Sequence, residues 1–192
     1  MFYEMTEMQR KVYIDTAQVY AGYTSAHEKS QKYRGGMHWK KAKGREYLFR
    51  SHDRHGYGKS LGPRSEKTEK ILAEFRSGKK DANHKLKALK ERLKEQSRFC
   101  KAAMINRVPK IVTGILRLLQ QHNLLGRNVV LAGTNAMYAY EALAGVYLDS
   151  PLLATQDMDI LWDTRPKINL FTENDQDHTV LLGILRKIDK TF

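Results

Sequence analysis

The 192-residue sequence is poor in cysteine and proline and contains no long apolar run. Its single cysteine, Cys100, excludes an intramolecular disulfide and any zinc site built from several cysteines, which suits the reducing cytoplasm. No apolar stretch approaches the roughly 20 residues of a membrane span, and residues 1–7 lack the basic-then-apolar order of a signal peptide. A hydrophobic content of 41% is nevertheless sufficient for a folded core. We therefore expect a folded cytoplasmic protein with no membrane partner.

Basic residues are concentrated in the first part of the chain. Residues 1–110 contain 27 Lys and Arg against 12 Asp and Glu, a net charge of +15, whereas residues 111–192 have a net charge of −2. This asymmetry predicts two regions, a basic one at residues 1–109 and a nearly neutral one at residues 110–192. A basic region favours a polyanionic partner such as RNA or DNA. The alternative interpretation is that the exposed lysines only keep the protein soluble.

Hydrophobic periodicity predicts a helix followed by a small β-sheet at the start of the basic region. The helical spacing covers residues 4–33, and alternation then predicts a hairpin of strands 37–41 and 45–50 around Lys43-Gly44, with a third short strand at 57–61.

Basic side chains surround the aromatic residues of this sheet, and Trp39, Tyr47 and Phe49 are expected to form one aromatic face. Such a surface suits a nucleic-acid backbone and stacked bases. The residues that we predict to contact nucleic acid are Trp39, Lys40, Lys41, Lys43, Arg45 and Arg50. The alternative is that the aromatic residues pack on neighbouring helices and the lysines face water.

Two further helices are predicted before the end of the basic region. Ser65 is a good N-cap for a helix over residues 65–76, and Ser77-Gly78 is expected to end that helix. A long charged helix is expected over residues 81–106, with an apolar stripe along one side. Val108-Pro109 then separates it from a more apolar helix that we expect at residues 111–119.

The segment from residue 126 to residue 163 contains the strongest functional signal. An apolar run at residues 128–132 predicts a buried strand that stops at Gly133, and the good helix formers at residues 135–144 predict a helix with Thr134 or Asn135 as its N-cap. The free backbone N–H groups at the start of such a helix form a natural phosphate site.

Two carboxylates follow on the next predicted strand, residues 157–162. Because residues two apart on a strand point to the same face, Asp157 and Asp159 are expected to project together, opposite Met158 and Ile160. Adjacent carboxylates repel each other unless a cation lies between them, and Mg²⁺ prefers oxygen ligands. A phosphate site next to a metal-binding pair suits phosphoryl or nucleotidyl transfer.

Gly133-Thr134 at a helix start, followed by Asp157-x-Asp159 on a strand, resembles the DNA polymerase β-like nucleotidyltransferase superfamily, and the surrounding residues resemble a bacterial branch of it. The resemblance implies an α+β fold, with a nucleotidyltransferase-like mixed sheet flanked by helices, preceded here by the helical region with its small β-hairpin module. It also implies Mg²⁺ or Mn²⁺ at Asp157 and Asp159 and a nucleoside triphosphate donor at Gly133, Thr134 and Asn135.

Members of that superfamily have a third acidic residue on a later strand. We predict a strand at residues 168–171 and a helix at residues 179–190, and no later strand that could carry that acid. Two interpretations are open for the core at 110–192: the chain is a fragment of a longer protein, or the site is incomplete. The candidate substitutes for this third acidic residue are Asp163, Glu173, Asp175 and Asp177, none of which is in the expected sequence context.

These features predict transfer of a nucleoside monophosphate to RNA, protein or a small molecule. The alternatives are an inactive protein of the same fold that binds nucleic acid, and a toxin–antitoxin or phage-defence component.

Overall fold

The structure is a computed structural model that describes residues 1–53, 56–127, 129–153 and 157–162, together with Gly183 and Arg186. The chain forms two compact units, one of Lys11–Ala103 and one that combines Met1–Arg10 with Met104–Phe192. The elements in chain order are β1 (Phe2–Glu4), α1 (Glu7–Gln31), β2 (Gly36–Ala42), β3 (Arg45–Ser51), β4 (Gly58–Pro63), α2 (Glu66–Ala102), α3 (Lys110–Gln121), β5 (Val129–Leu131), α4 (Gly133–Ala144), β6 (Val146–Leu148), α5 (Ser150–Leu153) and β7 (Ile160–Trp162).

The mixture of helices and small antiparallel sheets is consistent with the predicted α+β class. No helix in the part of the chain that the structure describes is long and apolar enough to cross a bilayer. The predicted strand at 168–171 and helix at 179–190 lie outside the described residues, apart from Gly183 and Arg186 within the latter range.

The basic unit contains a three-stranded antiparallel sheet in the order β2-β3-β4. Lys43 and Gly44 join β2 to β3 with φ angles of 48° and 73°, which is the left-handed conformation that a tight hairpin turn requires at both central residues. The predicted hairpin is therefore confirmed at the predicted turn. Leu48, in the middle of β3, is fully buried.

Helix α2 contradicts the predicted break at Ser77-Gly78, because it continues for 37 residues from Glu66 to Ala102. Its predicted N-cap is confirmed: the Ser65 hydroxyl accepts from the Thr68 backbone N–H in a reciprocal capping box. Gly78 lies against the Tyr33 ring, and a Cβ atom at this position would collide with the phenol oxygen. The ring also packs on Phe75 with its centroid 5.6 Å away. Gly78 is thus needed for a close approach and does not end the helix.

The second unit begins with a strand that the sequence did not indicate. The helical spacing predicts a first helix from residue 4, whereas residues 2–4 form β1, which pairs antiparallel with β6, and α1 starts only at Glu7. Strands β5 and β7 form a second antiparallel pair. The core of this unit consists of the buried side chains Ile115, Leu119, Leu124 and Val129, with Met158 and Ile160 packed against them.

Candidate active site

Helix α4 starts directly after β5, two to three residues earlier than predicted. The N-cap is Ala132, and neither Thr134 nor Asn135 occupies that position. The early start depends on Gly133, whose φ of +61° turns the chain sharply out of the strand. Ala132 has no side-chain oxygen that could accept a hydrogen bond from the first turn of the helix. The N–H groups of that turn can therefore donate to another acceptor, such as a phosphate.

The backbone of Asp159 lies beside this helix start. The amide of Ala132 donates to the Asp159 carbonyl oxygen at 2.9 Å, which continues the β5–β7 pairing by one further residue. At Gly133, an added Cβ atom would collide with the Asp159 carboxylate. Position 133 therefore favours glycine for its backbone conformation, and a side chain there would displace this carboxylate.

Strand β7 is shorter than predicted, but the side-chain alternation extends beyond it to Asp157. Met158 and Ile160 pack on the buried core, whereas Asp157 and Asp159 are exposed. The apolar side chains anchor the segment from one side, and the two carboxylates lie on the solvent side, as the period of two requires.

Asn135 has a position that sequence reasoning missed. The residue is 3% exposed, and its Nδ2 atom donates to the backbone carbonyl of Asp157 at 2.7 Å. Its Oδ1 atom is buried without a hydrogen-bond partner in the described part of the chain. The predicted role of Asn135 as N-cap is wrong, and its amide ties the first turn of α4 to the segment that carries the carboxylates.

The two carboxylates have the donor chemistry that Mg²⁺ or Mn²⁺ prefers. Among the residues that the structure describes, no group of three or more His, Cys, Asp or Glu is placed to hold a metal ion. Mg²⁺ is commonly bound by one or two protein carboxylates, with phosphate oxygens and water completing its shell, so the pair fits this mode. The other acids considered from the sequence, Asp163, Glu173, Asp175 and Asp177, lie outside the described residues.

A buried ion pair in the second half of α4 was also missed. Glu141 is 4% exposed, and its Oε1 atom accepts from Arg107 Nη1 and from the Leu148 amide, both at 2.6 Å. Arg107 Nη2 donates to the Leu148 carbonyl at 2.9 Å. The pair joins α4 to β6, so it is structural, and nothing in its local sequence distinguishes it from exposed charges.

A cavity of about 570 Å³ lies beside the Arg107–Glu141 pair and is separate from the Asp157 and Asp159 carboxylates. Tyr3, Arg107, Tyr147 and Asp149 contribute to its lining, and neither Asp157 nor Asp159 does. Burial raises the pKa of the Tyr147 phenol above its ordinary value. The candidate active site is thus the exposed surface at the start of α4, since the carboxylates are there.

The six residues predicted to contact nucleic acid do not share one surface. In the β2–β3 register Trp39 is opposite the buried Leu48, and Lys41 is opposite Glu46, so these residues lie on one face of the sheet. We call it the inner face, because Arg50 on the same face contacts Phe75 of α2. Lys40 and Arg45 belong to the opposite, outer face, and Lys43 is in the turn.

Arg50 is held by the protein itself. Its guanidinium donates to the carbonyls of Gly36 and Ser51 at 3.1 and 3.0 Å and to that of Lys32 at 3.2 Å. It also lies 4.3 Å from the centroid of the Phe75 ring, and burial lowers the pKa of Arg50 from its ordinary value. These contacts give Arg50 a structural role within the module.

The expected single aromatic face is likewise wrong, because Trp39 lies on the inner face, where the Arg64 guanidinium is 5.3 Å from its ring centroid. Phe49 is opposite His38, and Tyr47 is opposite Lys40, on the outer face. The predicted strands are confirmed, and the two-residue turn at Lys43-Gly44 fixes their register. Because this register pairs Trp39 with Leu48, it places Trp39 on the face opposite Tyr47 and Phe49.

Residues 110–192 match the model of a protein family described as nucleotidyltransferase. The match covers less than half of the chain and includes Gly133, Asp157 and Asp159. No curated protein and no solved structure shows a significant match to the chain. The family match supports nucleotidyl transfer as the general chemistry of this segment.

Proposed function

We propose that the segment matching the nucleotidyltransferase family transfers a nucleoside monophosphate from a nucleoside triphosphate to an acceptor, with Mg²⁺ or Mn²⁺ as cofactor. The observation that carries the proposal is the closeness of the Asp159 carboxylate to Gly133 at the uncapped start of α4. In this proposal the helix start is the anion site and the carboxylate belongs to the cation site, and their closeness suits a triphosphate–metal complex.

Each residue of the site has a distinct part in this proposal. The backbone N–H groups of Gly133 and Thr134, with the Thr134 hydroxyl, bind the triphosphate at the positive end of the α4 dipole. Asp157 and Asp159 hold the metal, which when bound neutralises charge on the phosphate oxygens. Asn135 fixes the Asp157 backbone through the 2.7 Å hydrogen bond, so we assign it a positioning role.

The reaction that this arrangement supports is a displacement at the α-phosphorus. An acceptor hydroxyl releases its proton to solvent and its oxygen forms a bond to the α-phosphorus. The bond from that phosphorus to the oxygen that bridges to the β-phosphate breaks, and pyrophosphate leaves. The acceptor can be RNA, a protein hydroxyl or a small molecule. This chemistry is that of the DNA polymerase β-like nucleotidyltransferases that the motif resembles. We also propose a cytoplasmic location, which the single cysteine, Cys100, suits.

The proposal is tested by transfer from α-³²P-labelled ATP, GTP, CTP or UTP with Mg²⁺ or Mn²⁺, using total RNA and cell lysate as acceptors. The Asp157→Ala/Asp159→Ala variant removes both carboxylates, and Glu74→Gln/Glu95→Gln removes two exposed carboxylates from α2 as a control. We expect the first variant to lose at least about 100-fold in transfer, because metal assistance is worth several kcal/mol, and the control to retain the activity.

Binding of Mn²⁺, measured by electron paramagnetic resonance in the presence of a non-hydrolysable ATP analogue, provides a readout that needs no acceptor. Binding that is lost in the double-Ala variant and kept in the control supports the metal site. If the wild-type protein labels no acceptor and its Mn²⁺ binding does not depend on the two aspartates, the enzymatic proposal is wrong. The inactive, nucleic-acid-binding alternative then takes its place.

A further inference from the structure

The outer face of the β2–β4 sheet brings together side chains that the sequence leaves dispersed. The register places Phe49 opposite His38, Tyr47 opposite Lys40, and Arg45 opposite Ala42. His38, Lys40 and Arg45 are exposed, and the two aromatic rings are partly exposed. The inner face is covered by contacts to α2, such as that of Arg50 with Phe75, so the outer face is the one that remains open within this unit.

The charge of this face has a single sign. The sheet contains one carboxylate within its three strands, that of Glu46, and it lies on the inner face, where it binds Arg64 at 2.7 Å. The unit of Lys11–Ala103 contains 24 Lys and Arg against 10 Asp and Glu, a net charge of +14. A polyanion is therefore attracted both by the unit as a whole and by the outer face in particular.

The Phe49 ring on this face is paired with a cation and with a second ring. Lys40 Nζ lies 3.7 Å from the centroid of the Phe49 ring, and the His38 and Phe49 ring centroids are 5.9 Å apart. Tyr47 and Phe49 are two residues apart on one strand, so their attachment points are about 7 Å apart on the same side. A flat apolar ring and a cation together match the two parts of a nucleotide, its base and its phosphate.

We propose that the outer face binds single-stranded nucleic acid, with bases stacked on Phe49 and Tyr47 and phosphates paired with Lys40 and Arg45. The base on Phe49 displaces the Lys40 ammonium group from the ring, and that group then pairs with the phosphate. Bases of a single strand can be splayed onto aromatic side chains, whereas those of a duplex are stacked inside it. An acidic protein would use the cations but not the rings, and this difference separates the two kinds of partner. The inference does not rest on the proposed nucleotidyl transfer.

The test is fluorescence anisotropy of the full chain with labelled 12-nucleotide U and dT single strands, a 12-base-pair duplex and polyglutamate, in EDTA and without nucleotide. These conditions keep metal-dependent transfer out of the measurement. The charge variant Lys40→Gln/Arg45→Gln is compared with Lys87→Gln/Lys90→Gln, which removes two exposed charges from α2. The stacking variant is Phe49→Leu, which keeps an apolar side chain in the strand, and Phe49→Trp restores an aromatic ring.

We expect a single strand to bind more tightly than the duplex or polyglutamate. Phe49→Leu should weaken binding by at least about fivefold, the lower end of the effect of one stacked base, while Phe49→Trp retains it. The outer-face charge variant should reduce the slope of log affinity against log salt by about 1.4, since each phosphate contact contributes about 0.7.

Three outcomes would overturn the proposal. The first is equal weakening by the outer-face and α2 charge variants, which would indicate attraction by the overall charge alone. The second is polyglutamate binding as tight as that of the single strands, which indicates an acidic partner. The third is unchanged binding in a Phe49→Leu protein whose unfolding temperature matches that of the wild type.

Discussion

Replacing Gly133 by alanine tests how closely the start of α4 and the Asp159 carboxylate depend on each other. The substitution has two effects. At φ +61° an alanine costs about 1–2 kcal/mol of stability, because its Cβ crowds the backbone. Its Cβ would also collide with the Asp159 carboxylate, which must then move away from the helix start. A displacement of about 1 Å in a catalytic group can reduce the rate about 100-fold.

Gly126 offers a matched control for the first effect. It has φ +77°, and a Cβ atom built there has no other atom within 4 Å. Gly126→Ala should therefore lose a similar 1–2 kcal/mol without disturbing the carboxylates. We expect urea unfolding to show a comparable loss in both variants. Nucleotide transfer should fall about 100-fold in Gly133→Ala, and by no more than about threefold in Gly126→Ala, with Mn²⁺ binding following the same order.

The proposed role of the Asp159 carboxylate is refuted if Gly133→Ala, folded and with the expected loss of stability, transfers nucleotide and binds Mn²⁺ as well as Gly126→Ala does. That result would mean that the Asp159 carboxylate does not act at the start of α4. Equal and severe loss of activity in both variants would also contradict it, because the common backbone strain would then be the cause.

Further predictions concern the two units separately. Arg107→Met leaves the buried Glu141 carboxylate without its cationic partner, so the free energy of unfolding in urea should fall by about 3–5 kcal/mol. Adding Glu141→Gln should restore most of this loss. A single variant as stable as the double variant would refute the prediction. Gly78→Ala displaces the Tyr33 ring at a cost of about 1–3 kcal/mol and gains about 0.5–1 kcal/mol of helix preference, so we expect the protein to show a net loss of stability of up to about 2 kcal/mol. Gly22→Ala should instead stabilise it by about 0.5–1 kcal/mol, since the new methyl group only contacts Leu89, at 3.5 Å. Thermal unfolding of both variants checks the opposite signs.

Several features of the candidate site could be predicted because their causes are local. The alternation of Asp157 and Asp159 with Met158 depends only on the period of an extended chain, and the proximity of a Gly turn to a helix start depends on adjacent residues. The N-cap assignment failed at the same place. Ala132 has no capping side chain, so only the backbone conformation at Gly133 shows where α4 begins.

The contacts that organise the site depend on residues that are distant in sequence. The hydrogen bond from Asn135 to the Asp157 carbonyl spans 22 residues, and that from Arg107 to Glu141 spans 34. No pattern around Asn135 indicates that its amide will be buried. The unbroken helix at Gly78 also depends on a distant residue. Tyr33, just after α1, places its ring beside Gly78, where a larger side chain would collide with it.

The amino-acid sequence by itself determined the distribution of charge, the Lys43-Gly44 hairpin, the Ser65 cap and the pairing of the two aspartates, because these follow from composition and from residues within a few positions of one another. Tertiary structure decided that β1 pairs with β6, that the face of the hairpin with Trp39 and Arg50 is the one that packs on α2, and that Asp159 lies against Gly133. Strand register and burial result from the free energy of packing distant segments together, and a shift of one residue in register would exchange the two faces.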